Sequence, residues 1–302
     1  MERSKKIVLE APEGHTFVVS QKDSGELNIK LIPTVATEYS GNYINPPIPE
    51  GWEHVEGLWR DGFVIQDFKE NQFVWVPVGF LDANGTLDGT NFSEKFGRRN
   101  YNHDSFSYHC GFREELVEEL RKQLESVQKY GGFYISRYNI SWNKQTKEAQ
   151  SVKGVLPLTN INWFGARDAA KTFGDGVSVR SHLPYGAEYD STLEWFIKSG
   201  KRIKEEIVNN STKWGNFRNT INASREVVKT GTRKEWSTNH ICDLAGNVCE
   251  WTQETYWEDR ERVMRGGDYS DDGSCYSVAC RNYHNPLTRH TGTGFRAALF
   301  IA

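Results

Sequence analysis

The chain has 302 residues, 37% of them hydrophobic, so it is long enough to bury a large core in one domain or in one domain with an appendage. Its formal net charge is −3 and charges of both signs are interspersed, which excludes the basic surface that nucleic acids and anionic membranes attract. No apolar run approaches the roughly 18 residues of a membrane span, and residues 1–14 lack the apolar core of a signal peptide, so we expect synthesis in the cytoplasm and no membrane insertion.

The number and spacing of the cysteines indicate free thiols. The chain has Cys110, Cys242, Cys249, Cys275 and Cys280. An odd number without any CxxC pair argues against both a zinc knuckle and a closed set of disulfides. We expect large aromatic side chains to supply much of the core instead, because the sequence contains 10 tryptophans and 13 tyrosines.

Residues 1–50 contain three short runs with β character, separated by turn-forming residues. The runs cover residues 6–9, 16–19 and 27–32. A proline cluster at 46–49 follows and favours a stiff, extended connection. We therefore predict a small β appendage over 1–50, with a boundary near Ile48 and a role in attachment or homo-oligomerisation. A large domain is predicted over 51–302.

The first half of this large domain shows a hairpin, a helix and a further strand. Residues 63–65 and 73–78 are apolar runs flanked by turn formers, which predicts a β-hairpin. Residues 81–113 are polar and rich in Gly and Asn, which is typical of an irregular excursion. The segment 113–130 places leucines every four residues, which predicts an amphipathic helix, and 133–138 is predicted to be a strand.

The second half is predicted to hold two short helices. Asn162 is expected to cap a helix over 164–173. The residues predicted to face inward from it are Ala166, Ala169, Ala170 and Phe173. A second helix is predicted over 191–200, and the charged segment 201–222 is predicted to be loop. Short strands, few helices and long loops together predict an α+β fold.

The segment 268–291 differs from the rest of the chain because it consists almost entirely of small, polar and aromatic residues. It lies between two stretches that we interpret as structural anchors, 265–267 and 294–299. Neither a strand alternation nor a helical period is present, which predicts a system of loops. Tyrosines among hydrogen-bonding residues are typical of binding surfaces, although turn formers are common in any surface loop. The residues predicted to bind ligand are Asp268, Tyr269, Ser270, Asp271, Asp272, Cys275, Tyr276, Asn282, Tyr283, His284, Asn285, Thr288, His290 and Thr291.

Several segments occur in the order and at the spacing of a known family. They are FVWVPV (73–78), GGFYISRYNIS (131–141), PLTNINWFGARDAA (157–170), SHLPYGAEYDSTLEW (181–195), ICDLAGNVCEWTQE (241–254), RVMRGGDY (262–269) and GFRAA (294–298). Over about residues 60–302 the chain resembles the sulfatase-modifying-factor family, whose formylglycine-generating enzyme domain is similar to a C-type-lectin-like fold. The resemblance implies this fold but does not decide between the functions of the family.

One of those functions is copper-dependent oxidation of a peptidyl cysteine to formylglycine. It uses two cysteines shortly after the RGG motif, because soft thiolates select Cu(I). Cys275 and Cys280 have the required separation but not the required position. Counting forward from RGG places the first family cysteine at Asp271, and counting back from 276–281 places it at Asp268. We therefore expect no copper and keep the copper-dependent oxidase as the alternative function.

No other arrangement in the sequence indicates an enzyme. Hydrolase, phosphate-loop and metalloprotease motifs are absent from the sequence. The adjacent acids Asp271 and Asp272 are more typical of a solvated turn than of an acid and a base. The spacing of His284 and His290 does not indicate a metal site with Asp268.

A second function of the family is ligand binding by variable proteins that retroelements diversify, and 268–291 resembles their C-terminal variable segment. In such systems substitution falls on adenines, especially in AAY codons, and yields Asn, Asp, Tyr, His, Ser, Thr, Gly and Cys among others. All predicted ligand-binding residues belong to that set, whereas 273–274, 277–279, Arg281 and Pro286 are interpreted as fixed. The resemblance implies a non-catalytic protein, displayed on a virion or another surface, that binds a protein or glycan on another cell or particle.

The motif DLAGNVCE matches the calcium loop of the family, with Cys249 in place of the usual Trp. By this resemblance a structural Ca²⁺ is bound by the side chains of Asp243 and Glu250 and by the carbonyls of Gly246 and Val248. Calcium prefers about six to eight oxygen ligands. A tight turn without metal is the alternative.

Two arginines are expected to hold the ends of the loop system. Arg265 and Arg296 are predicted to make buried ion pairs or carbonyl contacts. Trp251 and Phe295 are predicted to lie in the core beneath the loops and not on the face that meets the ligand.

Overall fold

A computed structural model of the protein describes residues 15–21, 27–33, 46–58, 61–78, 114–257 and 260–302. The helices are α1 (Glu114–Tyr130), α2 (Trp163–Ala170), α3 (Gly186–Lys198) and α4 (Lys204–Val208). The strands are β1 (His15–Gln21), β2 (Leu27–Pro33), β3 (Trp52–Glu56), β4 (Val64–Asp67), β5 (Gln72–Pro77), β6 (Gly132–Ser136), β7 (Ser141–Asn143), β8 (Glu148–Gln150), β9 (Val179–His182), β10 (Ser237–Thr238), β11 (Ile241–Cys242), β12 (Cys249–Trp257), β13 (Glu261–Arg265), β14 (Arg281–His284), β15 (Thr293–Phe295) and β16 (Ala298–Ile301). The predicted strand 6–9, the predicted excursion 81–113 and Cys110 lie outside the described residues.

The N-terminal segment contains an antiparallel hairpin of β1 and β2, with His15 opposite Pro33 and Gln21 opposite Leu27. The predicted β runs at 16–19 and 27–32 are therefore confirmed. The division of the chain near Ile48 stays a prediction.

A six-stranded antiparallel sheet forms the centre of the large domain, in the order β3-β4-β5-β6-β16-β9. The predicted hairpin is confirmed by β4 and β5, where Val64 lies opposite Val74. The last strand, β16, lies between β6 and β9, with Ala298 opposite both Ile135 and His182. The C-terminal end of the chain is therefore held in the middle of this sheet.

Both faces of this sheet are buried, which explains the continuous apolar run of β5. Phe73 and Trp75 belong to one hydrophobic cluster, which also contains Trp251 and Phe295 as predicted. Val74 and Val76 of the same strand belong to a second cluster. Alternate residues of a strand point to opposite faces, and a sheet covered on both sides needs apolar residues at every position.

A second sheet carries the predicted loop system, in the order β14-β13-β12-β15. β12 and β15 are parallel, whereas β13 is antiparallel to both of its neighbours. The segment predicted as loop contains the edge strand β14. Its residues are polar and partly exposed, and the pairing with β13 uses backbone groups, so no apolar alternation marks it in the sequence.

The predicted first two helices are present, but α2 ends at Ala170, three residues before the predicted end, and Ala169 is half-buried and not fully inward. α1 buries Leu116, Leu120 and Val127 on one side. α2 begins after Asn162, whose Oδ1 accepts the Gly165 amide at 3.0 Å, as predicted for a cap. Among the described helices, none is both long and apolar enough to span a membrane.

The prediction for the third helix was wrong at its start. α3 begins at Gly186, five residues before the predicted start at 191. Glycine disfavours helix, but here an added Cβ would lie 2.3 Å from Glu254 Oε2, so close packing requires Gly186. Glu188 caps the first turn, because its Oε2 accepts the Tyr185 amide at 2.8 Å.

The segment 201–222 is also not all loop, because it contains α4 and a 3₁₀ turn at Thr212–Trp214. α4 has five residues, which is too short for a helical period to be recognised in the sequence. Ile207 and Trp214 are buried in the second hydrophobic cluster. The packing of these two side chains fixes the segment on the core, although its many charged residues predicted an exposed loop.

Candidate functional site

Two arginines and two carboxylates, all buried, hold both ends of the segment that joins β13 to β14. Asp190 of α3 accepts hydrogen bonds from Arg265 (Nη2 to Oδ1, 2.9 Å) and Arg281 (Nη2 to Oδ2, 2.7 Å). Glu254 accepts a bond from Arg281 (Nε to Oε1, 2.8 Å). Burial alone would lower the pKa of Arg281, but the two carboxylates outweigh burial and raise it, so the guanidinium stays charged. We call these four residues the ion network.

Arg296, which follows β15, is the second anchor. Its Nε donates to Glu250 Oε1 at 2.7 Å. Its Nη1 donates to the Ser136 carbonyl at 2.9 Å, and its Nη2 donates to the Cys242 carbonyl. The side chain is fully buried. The prediction that both anchoring arginines make buried ion pairs or carbonyl contacts is confirmed.

Within 268–291, the residues interpreted as fixed and those predicted to bind ligand differ in burial. Gly273 and 277–279 are buried, Arg281, counted as a whole residue, and Pro286 are half-buried, and Ser274 is exposed. The predicted ligand-binding residues are exposed or half-buried, except for Asp268, which is buried. We call this set without Asp268 the outer face. The segment therefore has an inner layer that packs on the core and an outer layer that meets solvent.

The neighbouring acids Asp271 and Asp272 lie in different environments. Asp271 Oδ2 accepts the Asp268 amide at 2.9 Å, and burial raises the pKa of Asp271. Asp272 Oδ1 accepts the hydroxyl (2.6 Å) and the amide (3.0 Å) of Ser274, and these bonds lower the pKa of Asp272. These contacts are those of a turn, as the sequence favoured. The turn is half-buried and not fully solvated as predicted, because Asp271 packs toward the core.

Tyr283 of β14 stacks on Tyr256 of β12, with ring centroids 3.9 Å apart and ring planes inclined by 3°. Both side chains are exposed, Tyr283 to 41% and Tyr256 to 45%. Sequence reasoning missed Tyr256, because it lies outside 268–291. β12 and β14 flank β13 in the sheet, and this strand order is not visible in the sequence. The stacked rings add a rigid aromatic patch to the outer face.

The four described cysteines are free thiols, as predicted. Cys275 is exposed and Cys280 is half-buried. Cys249 is buried at the start of β12, with its Sγ 3.9 Å from Asp271 Oδ2. Burial, followed by the charges of Asp268 and Asp271, raises the pKa of Cys249 well above its ordinary value. The free thiol of Cys249 is therefore protonated at neutral pH.

A model of the sulfatase-modifying factor enzyme 1-like domain family matches residues 68–301. The chain belongs to this family. The predicted resemblance is confirmed, and the described strands and helices give this family member the predicted α+β fold. No curated protein matches the chain significantly.

Solved structures similar to this sulfatase-modifying factor domain include three with low sequence identity. PvdO from Pseudomonas aeruginosa is 14% identical, with 79% of this chain and 98% of that chain covered and a TM-score of 0.48. Treponema denticola variable protein 1 is 16% identical, covering 75% and 95% of the two chains with a TM-score of 0.40. The Major Tropism Determinant P3c variant is 13% identical, covering 98% and 74% with a TM-score of 0.38.

In this family member, three of the four residues predicted to bind calcium, Asp243, Gly246 and Val248, lie in the loop before β12, and the fourth, Glu250, is the second residue of that strand. Asp243 Oδ2 accepts the Thr230 hydroxyl (2.8 Å) and the Gly231 amide (2.7 Å). Asp243 Oδ1 is buried without a hydrogen-bond partner. Burial raises the pKa of Asp243. A buried carboxylate oxygen without a hydrogen-bond partner is available to a cation.

Glu250 shows the same pattern. Its Oε1 accepts hydrogen bonds from Arg296 (2.7 Å) and Asn139 (2.7 Å), whereas its Oε2 is buried without a hydrogen-bond partner. Burial raises the pKa of Glu250 to about 7, and the charge of Asp243 acts in the same direction. Two carboxylates that repel each other and each keep an unpaired buried oxygen fit a hard cation such as Ca²⁺.

The ion network predicts a large loss of stability when one carboxylate loses its charge. We expect Asp190→Asn to lower the free energy of unfolding by about 3–5 kcal/mol, because two buried guanidiniums lose a shared partner. The measurement is equilibrium urea unfolding. Asp272→Asn is the matched control. Asp272 pairs with Arg218 at 3.7 Å, and the Arg218 side chain is mostly exposed. We therefore expect this variant to lose at most about 1 kcal/mol. Equal losses in the two variants would contradict the role of the network.

Proposed function

We propose that the protein is a non-catalytic binding protein whose outer face contacts a ligand or receptor. The observation that carries the proposal is the separation of the segment 268–291 into two layers. Gly273 and 277–279 pack inward, while the side chains predicted to bind ligand face solvent. A surface of this kind can change its outer residues without changing its core packing.

The outer face has the composition and the rigidity that recognition needs. Tyr276 and the stacked pair of Tyr283 and Tyr256 offer exposed aromatic area. Tyrosine gives large contact area at a low cost in conformational entropy, and neighbouring Asn, Ser, Thr and His groups supply adaptable hydrogen bonds. The ion network and Arg296 fix the ends of the loops, which reduces the entropy lost on binding.

We further propose that a retroelement diversifies the outer face, which would explain the types of residue found there. The outer face contains the amino acids that substitution of adenines in AAY codons produces. Cys275 is exposed there and has no packing role that would require a thiol. Random codon substitution accounts for it.

The ligand is proposed to be a protein or a glycan on another cell or particle. Glycans and protein surfaces both suit a face of tyrosines and small hydrogen-bonding side chains. The N-terminal segment with the hairpin of β1 and β2 is proposed to serve attachment or homo-oligomerisation, with the large domain displayed on a virion or another surface.

Binding should depend on the exposed tyrosines of the outer face. We propose to screen the full chain against arrays of purified glycans and of cell-surface proteins and to use the strongest binder as the probe. Tyr276→Ser and Tyr283→Ser should each raise the Kd at least about tenfold, because central interface tyrosines contribute roughly 2 kcal/mol or more. Circular dichroism should show that both variants are folded.

Trp142→Ser is the matched control, because Trp142 is an equally exposed aromatic residue on β7, outside the outer face. It should leave the Kd unchanged. Absence of binding on both arrays, or equal weakening by the control, would count against the proposal. Stoichiometric Cu(I) binding that Cys275→Ser abolishes, together with oxidation of a cysteine peptide, would instead support the copper-dependent oxidase.

Diversification predicts a particular pattern in the gene and its flank. We expect a nearly identical downstream repeat beside a reverse transcriptase gene, with adenines opposite the codons of the outer face. The codons of Gly273 and 277–279 should be the same in both copies, because these residues are buried. The measurement is the genomic sequence. A flank without such a repeat, or differences spread equally over buried and exposed codons, would refute diversification while leaving ligand binding open to the array test.

A structural Ca²⁺ is proposed to join the loop before β12 to the start of that strand. Asp243 and Glu250 would bind it through side-chain oxygens, and Gly246 and Val248 through their carbonyls. The bound ion would supply positive charge between two buried carboxylates. It would thereby hold this loop beneath the outer face.

Calcium should therefore stabilise the fold. At a free concentration of about 100 times the Kd, Ca²⁺ should raise the free energy of unfolding by about 2.7 kcal/mol, and chelation should reverse the gain. Asp243→Asn should abolish the effect in calcium-dependent thermal unfolding. Asp168→Asn, on the exposed side of α2, is the matched control and should keep it. A calcium effect that survives in Asp243→Asn would place the ion elsewhere.

A further inference from the structure

Three metal-ligating side chains converge at the base of the outer face. The ligand atoms are Cys249 Sγ and one carboxylate oxygen each from Asp268 and Asp271, and all three lie within 4.8 Å of one another. Among the described residues, this is the cluster of His, Cys, Asp or Glu side chains that is close enough to hold a metal ion. Cys249 and Asp268 are buried, and Asp271 is half-buried. Asp268 and Asp271 are neighbours in one turn, whereas Cys249 is 19 residues before Asp268 in the sequence, so the fold brings the thiol to the two acids.

The geometry is close to that of a small coordination sphere. Zinc binds sulfur at about 2.3 Å and carboxylate oxygen at about 2.0–2.2 Å, which puts sulfur and oxygen roughly 3.5 Å apart on a tetrahedral ion. Cys249 Sγ and Asp271 Oδ2 are 3.9 Å apart. A shift of a few tenths of an ångström would bring this pair onto one ion, with a somewhat larger movement of Asp268.

Strand geometry keeps this cluster apart from the proposed calcium loop. Cys249 and Glu250 are neighbours on β12, and successive side chains of a strand point to opposite faces. Glu250 meets Arg296 on one side, and Cys249 meets Asp271 on the other. The two groups of ligands are therefore different sites.

Both ends of the predicted ligand-binding segment reach the cluster. Asp268 and Asp271 lie at its start. At its end, the Gly292 carbonyl accepts the Cys249 amide at 2.8 Å, and a Cβ at Gly292 would lie 2.1 Å from Asp268 Oδ2. The Nδ1 atom of His290 is 4.0 Å from the same Asp268 oxygen. An ion held here would join the two ends of the segment.

We propose that Cys249, Asp268 and Asp271 bind a thiophilic divalent cation of the Zn²⁺ type, with His290 or water completing the coordination. A thiolate favours Zn²⁺ or Co²⁺ over the hard ions Ca²⁺ and Mg²⁺, which prefer oxygen ligands alone. Asp271 and His290 are themselves residues of the outer face, so the site belongs to this particular sequence of the face. It does not depend on the proposed calcium loop or on the identity of the ligand.

The binding step conserves charge and oxidation state. The thiol of Cys249 releases its proton to solvent, and its sulfur and one oxygen from each aspartate bind the ion in place of water ligands, which leave to solvent. The metal keeps its +2 state. Because a proton is released, the affinity should increase with pH. The bound ion neutralises charges that otherwise repel one another at the base of the loops.

The test is a Co²⁺ titration of the full chain in excess Ca²⁺ and a non-thiol reductant, followed by thiolate-to-cobalt charge-transfer absorption in the near ultraviolet. We expect this band to saturate at about one Co²⁺ per chain, because the three protein ligands form one site with an open position. Added Zn²⁺ should displace the Co²⁺ and remove the band. Cys249→Ser should abolish the band. Asp271→Asn should raise the Co²⁺ Kd about tenfold or more, because even residues that only support a metal ligand change the affinity by about 10–100-fold.

Cys275→Ser is the matched control, because Cys275 is an exposed thiol of the same segment outside the cluster. It should leave the band and the Kd unchanged. If Cys249→Ser does not fold by circular dichroism, Asp268→Asn and Asp271→Asn provide the test. No charge-transfer band in the unaltered chain, a band that survives in folded Cys249→Ser, or a band lost in Cys275→Ser would overturn the proposal.

Discussion

The buried ion network of Asp190, Glu254, Arg265 and Arg281 is the constraint on which the candidate surface depends. Removing charged groups from water costs several kcal/mol per ion, and only close, well-directed pairing offsets this cost. Asp190 meets both arginines at 2.9 Å or less. Any movement of either end of the segment between β13 and β14 would leave a charge buried without its partner. A polar segment with little apolar content of its own is thereby given fixed ends.

The start of β12 is where the layers of the domain meet. Trp251 packs in the first hydrophobic cluster, Glu250 binds Arg296, and Cys249 lies against the acids at the base of the outer face. Each neighbour in the sequence faces a different part of the molecule because the strand alternates. The start of β12 is therefore one of the places, besides the ion network, where the loops are connected to the core.

This arrangement determines where the sequence is free to change. Protein interiors are packed at the density of organic crystals, so a change of volume at 277–279 or Gly273 would disturb the core. An added Cβ at Gly273 would lie 2.8 Å from the ring of Phe217. Most side chains of the outer face meet solvent and have no such limit; Asp271, which accepts the Asp268 amide, is an exception. A binding surface that varies while its support stays constant follows from this difference, which is the physical basis of the proposed function.

Much of the fold followed from local pattern: the hairpin of β4 and β5, the amphipathic α1, the Asn162 cap of α2 and the motifs that indicated the family are all properties of short stretches. Errors arose where contacts between distant residues outweighed local preference. Gly186 is tolerated at the start of α3 because Glu254 leaves no room for a Cβ and Glu188 caps the first turn. The short α4 carries the buried Ile207. The edge strand β14 is held by backbone hydrogen bonds, and its polar side chains do not show the alternation that predicts a strand.

By itself, the sequence determined the α+β fold class, the two arginine anchors and the unusual composition of 268–291, because each is carried by residue type and spacing along the chain. Tertiary structure alone decided that Asp268 is buried, that Tyr256 stacks on Tyr283, and that Cys249 meets two aspartates some twenty residues away. Those facts depend on strand order and on which face of β12 each residue occupies. They are set by the packing of the whole domain.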